Sequence, residues 1–396
     1  MKRLLFIGVL ALAVGGWLHA QGTLPEGMSL TGQVRTGVGV NFGNSYSQWG
    51  GDYDPMLTVG YDDGMGAYWT RTQLNFILNR GNYGFTIAPR FQWNNSDGTM
   101  PFSARVMNAF GWFNLMDGMM RITAGYIDEN RWMSPCAGEW RYSRGLGVRF
   151  ELSPIEELNV GVFIRPSHRW NTQDSQDVAN AFLNTSFGIS FDAGIVDVAA
   201  GLELAGDGEL RRADEGRWGA MGRNGPVIDL DGDDSVAVSA YVGLALHVIE
   251  DLGLAFGVHV ANIDDLNNHG NIHINQDISF DLSPIRVGIE MHQLFWNIGD
   301  GVPVAGNNDM TTQLEFLPWA GFDISDTTRV GAEIPLNFRF HDGDMEWLEI
   351  GFVPYVRHQL GAGMYLGGRY RLMVRSYNDG PNRVDNQVAA FFGWTF

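Results

Sequence analysis

Residues 388–396, Val-Ala-Ala-Phe-Phe-Gly-Trp-Thr-Phe, alternate between two kinds of side chain at the C-terminus. Every second residue from Val388 to Phe396 is apolar, whereas the intervening positions include Gly393 and Thr395. Side chains of a β-strand point alternately to opposite faces, so a period of two indicates a strand with one face in an apolar medium. The segment therefore predicts a β-strand that ends on an aromatic residue.

The same alternation recurs along most of the chain. From Val236 to Val248 the even-numbered residues are apolar, and Ser239, Gly243 and His247 lie between them. Eighteen such segments occur, at 28–42, 67–79, 82–94, 102–115, 119–128, 143–152, 157–166, 181–192, 194–205, 234–248, 251–262, 272–282, 285–297, 311–324, 328–340, 346–360, 363–375 and 385–396. Most are close to the about 9–11 residues with which a tilted strand crosses a bilayer. Sixteen strands are the alternative, because 102–115 and 311–324 alternate imperfectly.

The connections between these segments alternate in length. Short connections carry turn-forming residues, as at Arg80-Gly81 and Ser283-Pro284. The longer connections include 43–66, 129–142, 167–180, 206–233 and 298–310. Short turns at one end and long loops at the other are typical of a transmembrane barrel with an even number of strands. A soluble β-sandwich is the alternative, but its strands would be shorter and its connections would not alternate in this way.

The C-terminal nonapeptide resembles the last strand of bacterial outer-membrane β-barrels of porin type. In that class a final Phe after alternating apolar residues is the assembly signal, so the resemblance implies that the barrel-assembly machinery binds the strand ending at Phe396. It also implies that outer-membrane lipid surrounds the chain. We therefore expect an all-β fold, a transmembrane antiparallel up-and-down β-barrel of about eighteen strands.

The N-terminus has the pattern of an exported protein. Lys2 and Arg3 precede an apolar stretch from Leu4 to Leu18, and Ala20 is small enough for a cleavage site. This pattern predicts a signal peptide at 1–20 and a single barrel at 21–396, with a lone membrane anchor as the alternative. No other window has the about 20 uninterrupted apolar residues that a spanning helix needs.

Composition excludes several functional classes. The formal net charge is −19, and the only lysine is Lys2. A nucleic-acid-binding protein would carry clustered basic surface, so nucleic acid is not an expected partner. The single cysteine, Cys136, cannot form an internal disulfide. No cofactor is indicated, and oligomeric state is left open, a homo-oligomer included.

Charged residues of the predicted strands fall almost entirely on the polar face. An Arg facing lipid near the midplane would cost about 2–4 kcal/mol, so this segregation places them in the lumen. The predicted basic lining consists of Arg35, Arg71, Arg90, Arg339, Arg357, Arg369, Arg371 and Arg375. The predicted acidic lining consists of Asp277, Glu290, Glu315, Glu333 and Glu349.

Closure of the barrel would make 385–396 pair with 28–42 and join the two groups of arginines into one basic sector. The arrangement resembles the charge-separated constriction of general porins and the arginine track of eighteen-stranded substrate-specific porins. Simple pairing of lumenal Arg with lumenal Glu is the alternative. A barrel of this size leaves an aqueous channel that side chains alone do not fill. Gln21–Gly27 is too short for a plug, so 43–66 and 206–233 are the candidates for an inward-folding loop.

The sequence favours a passive channel for small hydrophilic, including charged, solutes. One alternative is a surface adhesin or structural barrel without transport. Another is a channel for hydrophobic or sugar solutes, which would use inward-facing aromatic residues: Trp69, Phe163, Tyr241, Trp296, Trp319, Tyr355 and Tyr365.

No enzyme is expected, since nothing marks a nucleophile beside the lumenal histidines. No metal site is expected either. A weak calcium candidate lies at Asp229, Asp231 and Asp233, but the stretch departs from the EF-hand pattern.

Overall fold

The computed structural model describes residues 25–41, 56–59, 69–94, 102–127, 132, 145–165, 185–205, 237–261, 263, 271–296, 311–341 and 343–396. These residues form twenty strands: β1 (Met28–Asn41), β2 (Met56–Val59), β3 (Trp69–Asn79), β4 (Tyr83–Asn94), β5 (Phe102–Leu115), β6 (Met120–Ile127), β7 (Gly145–Ile155), β8 (Leu158–Ile164), β9 (Thr185–Asp192), β10 (Val196–Ala205), β11 (Ala237–Ile249), β12 (Leu252–Ala261), β13 (Asn271–Leu282), β14 (Ile285–Trp296), β15 (Thr311–Ser325), β16 (Thr328–Glu333), β17 (Leu336–His341), β18 (Asp344–Gly361), β19 (Met364–Tyr377) and β20 (Arg383–Thr395). In this part of the chain no helix is long and apolar enough to cross a membrane. Several sequence predictions fall outside the described residues: the signal peptide at 1–20, Cys136, the loop 206–233 and the calcium candidate Asp229, Asp231 and Asp233.

The strands form one antiparallel sheet that closes into a barrel of eighteen spanning strands, which confirms the predicted fold and strand number. β16 and β17 both pair with β15 and with β18, so together they make one spanning strand. The four-residue β2, which pairs with the end of β1, is too short to span and is not counted. The predicted single strand at 328–340 is interrupted at Ile334-Pro335, where proline has no N–H to give to a neighbour. The two segments that alternate imperfectly in sequence, 102–115 and 311–324, each form one strand, β5 and β15.

The barrel closes between its first and last strands, as the sequence predicts. β1 pairs with β20 from Gln33 opposite Thr395 to Asn41 opposite Gln387. Phe396 extends this pairing, because its N–H and C=O both bond to Gly32, at 3.0 and 2.9 Å. The C-terminal residue is therefore part of the seam that closes the wall.

The wall carries apolar side chains on its outer face and charged side chains on its inner face, the reverse of a water-soluble protein. On β18 the outward residues Ile350, Phe352 and Val356 are 47%, 46% and 42% exposed, whereas the inward Glu349 is 0% exposed. Large exposed apolar side chains recur at outward positions of the other strands, including Phe256 and many others. An apolar exterior around a polar interior is what a bilayer requires of a closed barrel.

A methyl group at Gly32 is expected to destabilise the barrel at its seam. The added Cβ would lie 2.6 Å from the backbone oxygen of Gln73 and 2.7 Å from Cζ of the Phe396 ring. We expect Gly32→Ala to lose about 1–3 kcal/mol, in the range of overpacked sites. Unfolding in urea, followed by heat-modifiable gel mobility, would measure the loss. Gly111→Ala is the matched control, because its Cβ would meet nothing nearer than 3.5 Å; equal stability of the two variants would contradict this account of the seam.

Candidate functional site

The predicted basic lining lies on the inward parity of strands on both sides of the seam. Arg357, Arg369, Arg371 and Arg375 lie on β18 and β19, and Arg339 lies on β17. Arg35, Arg71 and Arg90 lie on β1, β3 and β4. Because β20 joins β19 to β1, the two groups of arginines flank the seam and form one sector of the wall.

Four pairs of arginines in this sector lie directly opposite one another on adjacent strands. The pairs are Arg35 with Arg71, Arg90 with Arg105, Arg329 with Arg357, and Arg375 with Arg383. Directly opposite residues have Cβ atoms about 4.5–5.5 Å apart, and like charges in such positions are destabilising. Two of the eight arginines also pair with carboxylates, Arg329 with Asp323 at 2.6 Å and Arg375 with Glu349 at 3.2 Å. We call the inward face of β1, β3 to β5 and β16 to β20 the arginine sector.

Three members of these pairs are missing from the predicted lining. A register shift between Ala88 and Pro89 reverses the parity of the outer half of β5, and this turns Arg105 inward. Arg383 begins β20 two residues before the predicted strand. Arg329 has the same parity as Arg339 and could have been found from the sequence.

The predicted acidic lining is only partly separate from the arginines. Asp277 and Glu290 lie directly opposite each other on β13 and β14, which makes an acidic pair that only β15 separates from the arginine sector. Glu315 and Glu349 are 0% exposed, and Glu333 is 8% exposed. These three carboxylates are therefore buried in the wall.

Glu349 illustrates why two clean walls do not form. Its carboxylate accepts a hydrogen bond from Asn337 at 2.8 Å and one from Arg375 Nε at 3.2 Å. Arg339 likewise pairs with Glu346 at 2.8 Å. Simple Arg–Glu pairing, the alternative from the sequence, therefore holds for these two arginines, because antiparallel register brings their acidic partners onto the neighbouring positions.

The wall from β5 to β11 is packed rather than open. Arg149 pairs with Glu151 at 3.1 Å, and Arg165 pairs with Glu203, with all four side chains almost fully buried. A hydrophobic cluster lies on the same inward face and consists of Phe110, Trp112, Ile127, Trp132, Phe163, Ala199 and Tyr241. Arg149 and Arg165 therefore form part of the packed interior of this wall and are not accessible to a solute.

Trp132, between β6 and β7, belongs to this inward cluster although it lies in a long connection. Its ring covers Gly161 and Gly188, where added Cβ atoms would lie 2.4 and 2.2 Å from ring atoms. Its Nε1 donates a hydrogen bond to Asn159 Oδ1 at 2.6 Å. Trp132 therefore lies inside the barrel, and the connection 129–142 to which it belongs was not among the predicted inward loops. Of the predicted loop 43–66, the described part is β2, which lies in the wall beside β1.

Inward aromatic rings mostly lie against glycines of the neighbouring strand. Tyr241 lies over Gly201, Trp319 over Gly288, and Tyr365 over Gly393. Phe163 is 0% exposed and Tyr241 is 4% exposed, so these two rings fill the wall and do not present the faces that a sugar would need. Trp319 and Tyr355 are partly exposed. The side chains of Trp69 and Trp296 lie outside the described residues. Rings lie over glycines because a glycine, which has no side chain, leaves the space that a ring on the adjacent strand occupies.

No protein-family model matches the chain, and no curated protein matches it in sequence. Solved structures that are similar include OccAB3 of Acinetobacter baumannii, with a TM-score of 0.53, 9% identity and coverage of 93% of this chain and 99% of that one. The anion-selective porin from Comamonas acidovorans has a TM-score of 0.49 and 11% identity, with coverage of 93% and 99%. The outer membrane channel DcaP of Acinetobacter baumannii has a TM-score of 0.46 and 12% identity, with coverage of 93% and 97%. Identities this low show the fold alone. The chain therefore has the fold of an outer-membrane β-barrel.

Proposed function

We propose that the chain is an outer-membrane channel through which small hydrophilic solutes diffuse, and that its arginine sector favours solutes with anionic groups. The observation that carries this proposal is two directly opposed arginine pairs on the inward face of neighbouring strands, Arg35 with Arg71 and Arg90 with Arg105. Directly opposed like charges are destabilising in a sheet, and a water-filled lumen that contains salt screens their repulsion.

The size of the barrel supports the same proposal. A barrel of about eight strands can be filled by its own side chains, whereas sixteen to eighteen strands leave an aqueous channel. Here the packed wall between β5 and β11 occupies one side of the interior. The arginine sector on the other side is the natural lining of the remaining water-filled path.

The chemistry of this lining is the binding and release of anions. A guanidinium donates charge-assisted hydrogen bonds to carboxylate or phosphate oxygens. Several arginines along one wall would let an anion exchange partners without full dehydration. The Asp277–Glu290 pair on β13 and β14 would repel the same anion and attract counter-cations. No catalytic step is part of this proposal.

Swelling of proteoliposomes tests the proposal. The probes would be arabinose, gluconate and choline, which are small and differ in charge. We expect swelling with all three, with gluconate faster than choline. Folded protein that gives no swelling above protein-free liposomes would overturn the channel and leave the adhesin or structural barrel. Swelling with choline faster than gluconate would overturn the role of the arginine sector.

A further inference from the structure

Three buried histidines lie side by side on the inward face of β12, β13 and β14. His259 lies directly opposite His273, and Asn275 lies directly opposite His292. The three histidines are 4%, 2% and 4% exposed, and Asn275 is 1% exposed. Neither the packed wall nor the arginine sector accounts for this group.

Three potential ligand atoms converge within this group. His292 Nδ1 lies 3.4 Å from His273 Nε2 and 3.0 Å from Asn275 Oδ1. The centroids of the two imidazole rings are 5.5 Å apart. Ligands of a tetrahedral ion with bonds of about 2.0–2.1 Å are separated by about 3.3–3.4 Å. His292 Nδ1 therefore already lies at close to the ligand–ligand spacing of one small cation from each of the other two atoms.

We propose that His273 Nε2, His292 Nδ1 and Asn275 Oδ1 form a lumenal site for a divalent transition-metal ion such as Zn²⁺ or Cu²⁺. Imidazole suits these ions, and the amide oxygen completes a three-atom face. Among the described residues no three His, Cys, Asp or Glu side chains converge. The protein thus supplies two nitrogen ligands and one oxygen ligand to the proposed site, and we expect a water molecule or an anion to complete the coordination.

The surrounding charge favours a dication at this place. Glu315 lies directly opposite His292, and the acidic pair Asp277–Glu290 lies on the same two strands. Carboxylates near a site lower the free energy of a bound cation, and they do so more strongly in a buried wall than in water. The positive arginine sector lies on other strands of the barrel, β1, β3 to β5 and β16 to β20.

Titration of the untagged, chelator-treated full-length protein in detergent with Zn²⁺ tests the site. We expect one equivalent to bind in calorimetry. His273→Ala and His292→Ala should each weaken binding by more than the about 10–100-fold that loss of an outer-shell partner costs. Asn275→Asp should strengthen binding, since a carboxylate oxygen replaces an amide. His247→Ala is the matched control, because His247 is exposed and bonded to Asp197 elsewhere.

Electron paramagnetic resonance of the Cu²⁺-loaded protein supplies a readout that folding alone would not change. We expect coupling to two nitrogens in the unaltered protein and to one in His273→Gln. Glutamine is used because it keeps the size and polarity of the side chain, so this variant serves if His273→Ala folds poorly. Zn²⁺ binding that survives in the His273/His292 double variant would overturn the site. So would unchanged or weaker binding in Asn275→Asp, or loss of binding in His247→Ala. The site does not depend on conduction, so swelling and metal titration can fail independently.

Discussion

Replacing Arg35 and Arg71 together with glutamine is expected to lower the anion-to-cation permeability ratio by about threefold to tenfold at low salt. The two residues are directly opposite on β1 and β3 and belong to the arginine sector. A unit charge about 7 Å from a permeating ion contributes about 0.6 kcal/mol in water, which is about threefold in ion occupancy for each arginine. Glutamine keeps the length and hydrogen-bonding capacity of the side chain while removing its charge.

The measurement is the reversal potential of a planar bilayer under a salt gradient, repeated at low and high ionic strength. Screening should shrink the difference between unaltered and variant protein at high salt, since the Debye length falls from about 30 Å at 0.01 M to about 3 Å at 1 M. Arg80→Gln is the matched control, because Arg80 is exposed in the turn between β3 and β4. A double variant whose reversal potential moves no further than that of Arg80→Gln would remove Arg35 and Arg71 from the permeation path.

Trp132→Ala is expected to raise single-channel conductance and to cost about 3–5 kcal/mol of stability, the usual range for truncating a buried large aromatic side chain. The indole is 3% exposed, lies within the lumen against β8 and β9, and is fixed by its bond to Asn159. Its removal leaves space inside the barrel beside β8 and β9 and so widens the cross-section. Open-channel current should therefore rise, and its noise should rise with it.

A double-mutant cycle shows whether the effect belongs to the Trp132–glycine contact. All three heavy atoms nearest to an added Cβ at Gly188 belong to the Trp132 ring. Gly188→Ala should therefore raise conductance in the unaltered protein and have little further effect beside Trp132→Ala. Gly321→Ala is the control, since its Cβ would meet nothing nearer than 3.6 Å. Additive effects of the two substitutions would show that Gly188 does not act through Trp132.

The fold could be predicted from the sequence because lipid and water impose opposite demands on alternate residues. Phe396 and its neighbours show this period at the C-terminus, and the same rule holds for β11 and β18. Two local departures have local causes. A register shift opposite Ala88 and Pro89 displaces Arg105, and Pro335 divides one spanning strand into β16 and β17.

The site could be predicted only in part, because parity gives the face of a residue but not its height or its partner. Which arginines stand opposite one another, such as Arg90 and Arg105, depends on strand register. The same register places Arg375 beside Glu349 and merges what the sequence presents as two walls. Trp132 carries no periodic signal, since it lies in a connection. Its counterparts, the inward glycines of β8 and β9, become meaningful only once the strands are aligned.

Single-channel recording of the purified, folded full-length protein in a planar bilayer tests the central claim most directly. A water-filled path along the arginine sector predicts discrete, stable conductance steps, with a zero-current potential displaced towards the anion in a salt gradient. Heat-modifiable mobility of the same sample would show that the barrel is folded. Folded protein that inserts but gives no steps above the lipid baseline would contradict the channel, and steps with cation preference at low salt would contradict the assigned role of the arginines.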